Sequence, residues 1–284
     1  MAPNTLITYQ RGISSLNDFR FKFGLSADWP IPVYDILQFI VYLVNENLSH
    51  STIVCYIAGI SFFSKVNGYE DISQIFVVKK VLEGIKRSKG NKKDNRLPIT
   101  KDLLKVILRV VPVACSSQYE ACMFGAAFSL AFHGLLRVSE IAVSNGLKRH
   151  VLLFSDISLG DDSLNVHITS SKTDQLGKGT VIMIKAQSDL SLCPCALVRR
   201  YIRVRPPVLG SFFCHYNGDS LTRYQFVAVL KKCLKIAGVN QFGFTSHSFR
   251  IGMATTLSLA GYPDSLIQSV GRWKSDAYKR YVRI

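Results

Sequence analysis

The sequence predicts a mainly α-helical protein of two domains, with a small antiparallel β-sheet in the second domain. Apolar residues recur at helical spacing over most of the 284 residues, and three short alternating stretches lie between residues 152 and 185. A basic segment without periodicity divides the chain. Because 48% of the residues are hydrophobic and only 19% are charged, both parts are expected to bury a core.

The first part of the chain predicts four amphipathic helices. Proline residues precede the second helix, a capping serine precedes the third, and Asn67-Gly68 ends the third. We expect these helices over residues 5–23, 33–47, 51–66 and 72–87.

The segment KRSKGNKKDNRLPIT, residues 86–100, carries six basic residues and one acidic residue. It predicts a domain boundary, with a helical domain over 1–88, a basic linker over 89–98 and a second domain over 99–284. Such a linker could lie along a DNA backbone and let two domains close around a duplex. A solvated loop or a nuclear-localisation patch explains the same composition.

The second domain predicts helices on both sides of the short strands. Thr100 and Thr222 are N-caps, and Pro263 starts a short helix. The expected helices cover residues 101–111, 116–142, 195–205, 223–237, 246–259, 263–270 and 276–282, and the expected strands cover 152–155, 165–169 and 181–185.

The charge of the chain indicates a polyanionic partner. The 35 Lys and Arg residues exceed the 19 Asp and Glu residues by 16, which favours double-stranded DNA over solubility charge alone. The longest apolar run, residues 121–136, is shorter than the ~20 residues that a bilayer span needs, so a buried helix and no membrane partner are expected. Cys193 and Cys195 lack zinc-ligand spacing, so no metal is expected, and the odd cysteine count indicates a reducing compartment.

Two stretches near the end of the chain carry candidate chemistry. His247 and Arg250 are three residues apart, so on a helix they share a face and suit a phosphate. Tyr278 and Tyr281 follow, and a tyrosine can attack a phosphodiester if neighbouring cations lower its pKa and hold the non-bridging oxygens. Further upstream, Arg137 has Glu140 at ion-pair spacing.

Taken in order, these residues resemble those of the tyrosine recombinase (phage integrase) family. The set consists of Arg137 in LLRVSE, Lys172 in the turn SSKTDQLGKGT, His247-x-x-Arg250, Trp273, and Tyr281 in RYVR. The resemblance covers essentially the whole chain and implies a helical, SAM-like core-binding domain followed by an α+β catalytic domain. The wording of SSKTDQ, HSFRIG and GRWKSDAYKRYVR is most similar to recombinases of eukaryotic DIRS/Ngaro or Crypton mobile elements, which implies a nuclear protein, or a cytoplasmic one if the host is not a eukaryote.

Two positions of the family pattern stay open. Counting from Arg250 places the family's His-or-Trp position on Trp273, whereas counting back nine residues from Tyr281 places it on Arg272. Trp273 is favoured, because an indole N–H can donate to a phosphate oxygen. For the nucleophile, Tyr281 is favoured by its neighbours, and Tyr278 is the alternative.

The resemblance implies a DNA breaking and rejoining reaction. Tyr281 would attack a phosphodiester to form a 3′-phosphotyrosyl link and release a 5′-hydroxyl. Arg137 and Arg250 would hold the non-bridging oxygens, His247 would assist proton transfer and Lys172 would protonate the leaving oxygen. The family works without a metal or nucleotide cofactor and assembles as a tetramer on DNA.

Three alternatives to a recombinase stay open. They are a type IB topoisomerase, a domesticated DNA-binding protein that no longer cleaves, and a helical interaction module whose charge is incidental.

Overall fold

The computed structural model describes residues 3–90, 94–144, 150–170 and 179–283. The chain divides into two compact units, Met1–Lys93 and Asp94–Ile284. The predicted fold class is confirmed, because the chain is mainly helical and has a small antiparallel sheet. Within the described ranges, no helix combines the length and the apolar character that a membrane span requires.

The first unit is built from four α-helices around one apolar core. Ser49 caps the third helix by accepting a hydrogen bond from the Thr52 N–H at 3.2 Å. The first and third helices pack closely, because a Cβ on Gly12 or Gly59 would lie under 3 Å from backbone atoms of the facing helix. These helices are α1 (Pro3–Lys22), α2 (Val33–Asn45), α3 (His50–Val66) and α4 (Phe76–Lys89).

The fourth predicted helix, over residues 72–87, is wrong at its start. Asp71 accepts hydrogen bonds from the backbone N–H and hydroxyl of Ser73, and this cap supports a short 3₁₀ turn over Ile72–Gln74. Ile75 is extended, so α4 begins only at Phe76.

The second unit is organised around a helix that is buried along almost its whole length. The apolar run predicted as a buried helix forms most of α6 (Gln118–His133), in which every residue from Ala121 onwards is buried. Phe128 of α6 stacks on Phe249 at 5.3 Å and meets Phe226 edge-on at 5.0 Å. The helices of this unit are α5 (Lys101–Ala114), α6, α7 (Val138–Ile141), α8 (Pro194–Val204), α9 (Arg223–Ile236), α10 (Ser248–Leu259) and α11 (Asp264–Gly271).

Three antiparallel strands form the sheet in the order β1 (Ile157–Leu159), β2 (Ser163–Ile168) and β3 (Thr180–Lys185). Leu164 pairs with Ile184 and Val166 with Ile182, and all four side chains are buried. Their alternation with exposed neighbours fixes which face of the sheet covers the core.

The predicted strand over residues 152–155 is wrong. The carboxylate of Asp156 accepts a hydrogen bond from the Leu153 N–H at 2.8 Å and closes a 3₁₀ turn over Phe154–Asp156. The first strand therefore begins two residues after the predicted strand ends.

The helix predicted over residues 116–142 is interrupted. Gly134 ends α6, and Leu135 follows in a left-handed conformation with φ at +44°. Arg137 is extended and caps α7, so the chain turns sharply between the two helices. Because of this turn, the carbonyl oxygen of the buried Leu135 can accept hydrogen bonds from side chains in other parts of the unit.

Candidate active site

Three arginines of the second unit meet at the turn between α6 and α7. Arg137 lies within the turn, Arg250 comes from the first turn of α10, and Arg272 follows α11 directly. Arg250 Nη1 donates to the carbonyl of Leu135, and Arg272 Nη2 donates to the same oxygen at 3.2 Å. We call these three residues the arginine cluster.

Glu140 is the carboxylate that joins two members of the arginine cluster. Its Oε2 accepts from the Arg137 backbone N–H at 2.8 Å and from Arg272 Nη2 at 2.9 Å. Its Oε1 accepts from Arg137 Nη1 at 3.1 Å and from Arg272 Nη1 at 3.0 Å. Burial of this side chain, which is 1% exposed, would raise its pKa, but Arg272 and Arg137 outweigh burial and the pKa of Glu140 is lowered.

Arg250 is the most enclosed member of the arginine cluster. It is 1% exposed, and its Nη2 donates to the carbonyl of Gly271 at 2.9 Å. Burial, followed by repulsion from Arg137 and Arg272, lowers the pKa of Arg250 to about 9. The guanidinium is still charged at neutral pH, so the cluster places three positive charges around one carboxylate and suits an anion.

Tyr281 is the tyrosine that lies against this cluster. Its ring centroid is 5.5 Å from Arg250 Cζ, 4.9 Å from the Trp273 ring and 6.3 Å from the His247 ring. The Trp273 ring also lies over the Arg250 guanidinium, at 4.7 Å from Cζ to the ring centroid. The structure thus brings together residues that are up to 144 positions apart in the sequence, from Arg137 to Tyr281.

Tyr278 is placed differently. It is 3% exposed, packs with Leu135 and Ile267, and donates its hydroxyl hydrogen bond to Asp264. This hydrogen bond raises the pKa of Tyr278. Tyr278 therefore lies on a carboxylate, whereas Tyr281 lies against Arg250.

His247 caps α10 and stands next to the arginine cluster as a neutral imidazole. Burial is the main cause that lowers its pKa, to about 4, and the positive charges of Arg96, Arg250 and Arg223 add to the effect. In the absence of a bound anion, His247 is therefore uncharged at neutral pH, and one of its ring nitrogens is free of a proton.

The sequence comparison decides the family. Residues 98–283, about two thirds of the chain, match the sequence profile of the phage integrase family. The chain belongs to the phage integrase family. A curated relative, the integrase/recombinase XerD homolog of Selenomonas ruminantium, is 22% identical over 283 residues, which cover 97% of this chain and 80% of the relative.

Solved structures of tyrosine recombinases share the fold of this phage integrase family member. The XerH site-specific recombinase bound to palindromic difH has a TM-score of 0.70 at 19% identity, with 96% of this chain and 74% of XerH covered. The Tn1549 transposon integrase in complex with transposon right-end DNA has a TM-score of 0.67 at 15% identity, with coverage of 100% and 90%. A lambda integrase dimer bound to a COC′ core site has a TM-score of 0.63 at 16% identity, with coverage of 100% and 72%.

The structure gives the two candidates for the family's His-or-Trp position separate surroundings. Trp273 lies between Arg250 and Tyr281, whereas Arg272 is paired with Glu140. Gly271 permits this arrangement, because a Cβ there would lie 1.7 Å from the Trp273 ring.

One predicted site residue of this integrase lies outside the described residues. Lys172 falls in the segment 171–178. The structure also adds residues that the sequence analysis did not place at the site. Arg96, assigned to the basic linker, and Arg223, at the start of α9, both act electrostatically on His247. Their basic character was the only signal in the sequence, and many other residues share it.

Proposed function

We propose that this integrase cuts and rejoins double-stranded DNA through a covalent link between Tyr281 and the 3′ phosphate of the broken strand. The observation that carries the proposal is the position of the Tyr281 ring against the guanidinium of Arg250, which is one of the three arginines of the cluster. Arginines suit the non-bridging oxygens of a phosphodiester because they stay charged and donate in a planar fork. Each such preorganised donor is typically worth about 3 to 4 kcal/mol of transition-state stabilisation.

The chemical step is an in-line displacement at phosphorus. The Tyr281 Oη forms a bond to phosphorus as the bond between phosphorus and the 5′ oxygen breaks. The neutral imidazole of His247 accepts the phenolic proton, and Lys172 supplies a proton to the leaving 5′ oxygen. Attack by the 5′-hydroxyl of another strand reverses the step, so the phosphodiester count is unchanged.

In this proposal the charge that builds up on the phosphate is balanced by side chains of the protein. Arg137 and Arg250 bind the two non-bridging oxygens, and Glu140 holds Arg137 in place through its backbone and its guanidinium. The reaction therefore needs no metal ion and no nucleotide. Addition of a chelator is expected to leave cleavage unchanged.

The experiment that tests the proposal is the capture of the covalent adduct. The protein is incubated with labelled duplex carrying the termini of its host element and separated on a denaturing gel, beside Tyr281→Phe and Tyr278→Phe. We expect the adduct to be lost only in Tyr281→Phe. Loss only in Tyr278→Phe would shift the nucleophile by one helical turn.

The same experiment separates the alternatives. An adduct accompanied by relaxed plasmid without strand exchange would favour a type IB topoisomerase. Tight binding to cognate DNA without an adduct would favour a DNA-binding protein that no longer cleaves. Binding that barely weakens with added salt would favour a helical interaction module, because phosphate contacts make affinity strongly salt-dependent.

We also propose that the first unit, with the basic segment that follows it, binds the DNA backbone and that four copies assemble on the recombining sites. The charge of the chain supports DNA binding, and the DNA complexes of XerH, Tn1549 integrase and lambda integrase are consistent with it. Light scattering of the protein on a synapsed duplex pair measures the copy number. A particle with fewer than four copies per pair would contradict the tetramer.

The motifs SSKTDQ and HSFRIG further support an origin in a eukaryotic mobile element of the DIRS/Ngaro or Crypton type and a nuclear location. Repeats flanking the gene would support this origin. A fluorescent fusion that stays out of the nucleus would contradict the location.

A further inference from the structure

Asp94 lies at the start of the second unit and accepts hydrogen bonds from Arg96, two residues away, and from Arg283, near the other end of that unit. Its carboxylate makes a two-pronged contact with Arg96, at 2.8 Å to Nε and 2.7 Å to Nη2. The Oδ2 atom also accepts from Arg283 Nη2 at 2.8 Å. Paired two-point contacts of this kind fix the plane of a guanidinium.

Arg283 connects this carboxylate to the segment that carries Tyr281. It is two residues further along the chain, and its backbone N–H donates to the Thr255 hydroxyl at 3.0 Å. The same hydroxyl donates to the Tyr281 carbonyl at 3.4 Å, while Arg283 Nη1 donates to the Arg280 carbonyl at 2.6 Å. The segment is thereby attached to α10 through Thr255 and to residue 94 through Arg283.

The segment that bears Asp94 and Arg96 is itself attached to the residues around His247. The Leu97 N–H donates to the Gly243 carbonyl at 2.9 Å, and the Ile99 N–H donates to the Ser248 carbonyl at 3.0 Å. A Cβ on Gly252 of α10 would lie 1.8 Å from the Ile99 oxygen, so this contact leaves no space for a side chain. Residues 94–99 therefore form a fixed edge of the candidate site.

Arg96 lies within electrostatic range of the two groups that exchange the proton in the proposed reaction. Its positive charge contributes, after burial, to the lowered pKa of His247. The carboxylate of Asp94 and, to a smaller degree, the phenol of Tyr281 raise the pKa of Arg96 itself. Arg96 donates to Asp94 through Nε and Nη2, so its third nitrogen, Nη1, takes no part in these two hydrogen bonds.

We propose that Asp94 is a positioning residue of this active site, which fastens the Tyr281 segment of the same chain through Arg283 and orients Arg96 on the segment that is hydrogen-bonded next to His247. This inference rests on the proposed cleavage reaction. The role of Arg96 is to add positive charge at this edge of the site, and the role of Arg283 is to keep the Tyr281 phenol on its own protomer's arginine cluster.

The test compares Asp94→Asn with Asp189→Asn in the full-length protein. Asp189 is a matched control, because it accepts from Lys105 at 2.6 Å and both aspartate side chains are 34% exposed. Each variant is measured for its affinity for cognate duplex, for the single-turnover rate of adduct formation and for amide hydrogen exchange over residues 276–283.

We expect Asp94→Asn to bind DNA at least as tightly as wild type, because a negative charge is removed from a basic segment. It should form the adduct about 10- to 100-fold more slowly, as small misplacements of reacting groups do, and exchange faster over residues 276–283. Asp189→Asn should match wild type in all three measurements. An unchanged or higher rate of adduct formation in Asp94→Asn would overturn the inference, and so would unchanged exchange.

A double-mutant cycle tests whether Asp94 acts through Arg283. If Asp94 acts through Arg283, the Asp94→Asn/Arg283→Gln double variant should be hardly slower than Asp94→Asn alone, because the shared interaction is already lost. Independent, multiplying losses would overturn the link.

The failure of the proposed reaction would be seen separately. If wild type forms no adduct on any duplex, the cleavage reaction is refuted, and the exchange measurement still decides whether Asp94 fastens the Tyr281 segment. Faster exchange confined to residues 276–283 supports the fastening, and unchanged exchange overturns it.

Discussion

The Glu140→Gln substitution removes the negative charge at the centre of the arginine cluster and keeps the shape of the side chain almost unchanged. The glutamine oxygen can still accept two of the four hydrogen bonds, those of Arg137 Nη1 and Arg272 Nη1. Its NH₂ group would face the Arg137 N–H and one N–H of Arg272 Nη2, and both then lose Oε2 as their acceptor. The other N–H of Arg272 Nη2 can stay on the Leu135 carbonyl.

The expected loss of stability follows from these contacts. Each buried donor left without a partner costs about 1 to 3 kcal/mol, so two such donors cost about 2 to 6 kcal/mol. Breaking a buried ion pair by removing one partner typically costs about 3 to 5 kcal/mol. We therefore expect the free energy of unfolding of the second unit to fall by about 3 to 5 kcal/mol at pH 7.

The chain offers a clean reporter for this measurement. It has two tryptophans, Trp29 in the first unit and Trp273 in the second, so a Trp29→Phe background reports urea unfolding of the second unit alone. Asp276→Asn is the control, because its ion pair with Lys279 is exposed and such pairs contribute about 0 to 1 kcal/mol. A loss in Glu140→Gln no larger than that of the control would refute the account of the cluster.

Sulfate provides a second arm of the same assay. With Glu140 neutral, the three arginines present a more positive site, so added sulfate should stabilise Glu140→Gln more than wild type. Equal stabilisation of both proteins would contradict the view that the cluster binds anions.

Two further predictions concern the fixed edge of the site and the imidazole. Gly252→Ala should lower the free energy of unfolding by at least about 1 to 3 kcal/mol, because its Cβ would meet the Ile99 backbone. Gly125→Ala is the control, since nothing lies within 4 Å of its Cβ, and it should be neutral or stabilising. Urea unfolding measures both variants, and equal free energies of unfolding would contradict the contact with Ile99. The pKa of His247 is about 4 in the folded protein and about 6.5 in the unfolded chain, so below pH 6.5 the unfolded state binds more protons. The free energy of unfolding should therefore be highest above pH 6.5 and fall as the pH falls from 6.5 to 4. The slope should be less than ~1.4 kcal/mol per pH unit, because the ring is only partly buried. A His247→Gln variant with the same pH dependence of unfolding as wild type would contradict that shift.

The elements that the sequence predicts well are those whose pattern is local. The apolar run in α6 could only be a buried helix, since it lacks the alternation of a half-buried strand and the length of a membrane span. The second and third predicted strands are confirmed within two residues, because their alternating apolar side chains fix one face toward the core.

The break between α6 and α7 was not predictable from periodicity. The residues LLRVSEIA continue the helical pattern of α6, and a single glycine before them is a weak stop signal. The turn is stabilised by Arg250 and Arg272, which donate to the Leu135 carbonyl from 115 and 137 residues away. Contacts over such a distance leave no trace in a local pattern.

Composition misled in a similar way at residues 94–98. The segment has the charge and the proline of a linker, yet its backbone is hydrogen-bonded to the loop before His247, and Asp94 is paired with Arg283. The ion pair joins residues that are 189 positions apart. The sequence could show that the segment is basic, but only the fold shows that it is attached to the residues around His247.

The arginine cluster links stability to DNA binding in this integrase. Two of its three guanidinium groups share the Glu140 carboxylate, and after burial the repulsion from Arg137 and Arg272 lowers the pKa of Arg250 to about 9. Two main-chain carbonyls, of Leu135 and Gly271, accept hydrogen bonds from Arg250 Nη1 and Nη2. A phosphodiester would supply a negative charge that the cluster lacks, so the charges that oppose folding are those that favour binding of the phosphate. Substitutions that relieve this repulsion should therefore stabilise the free protein and weaken its cleavage of DNA.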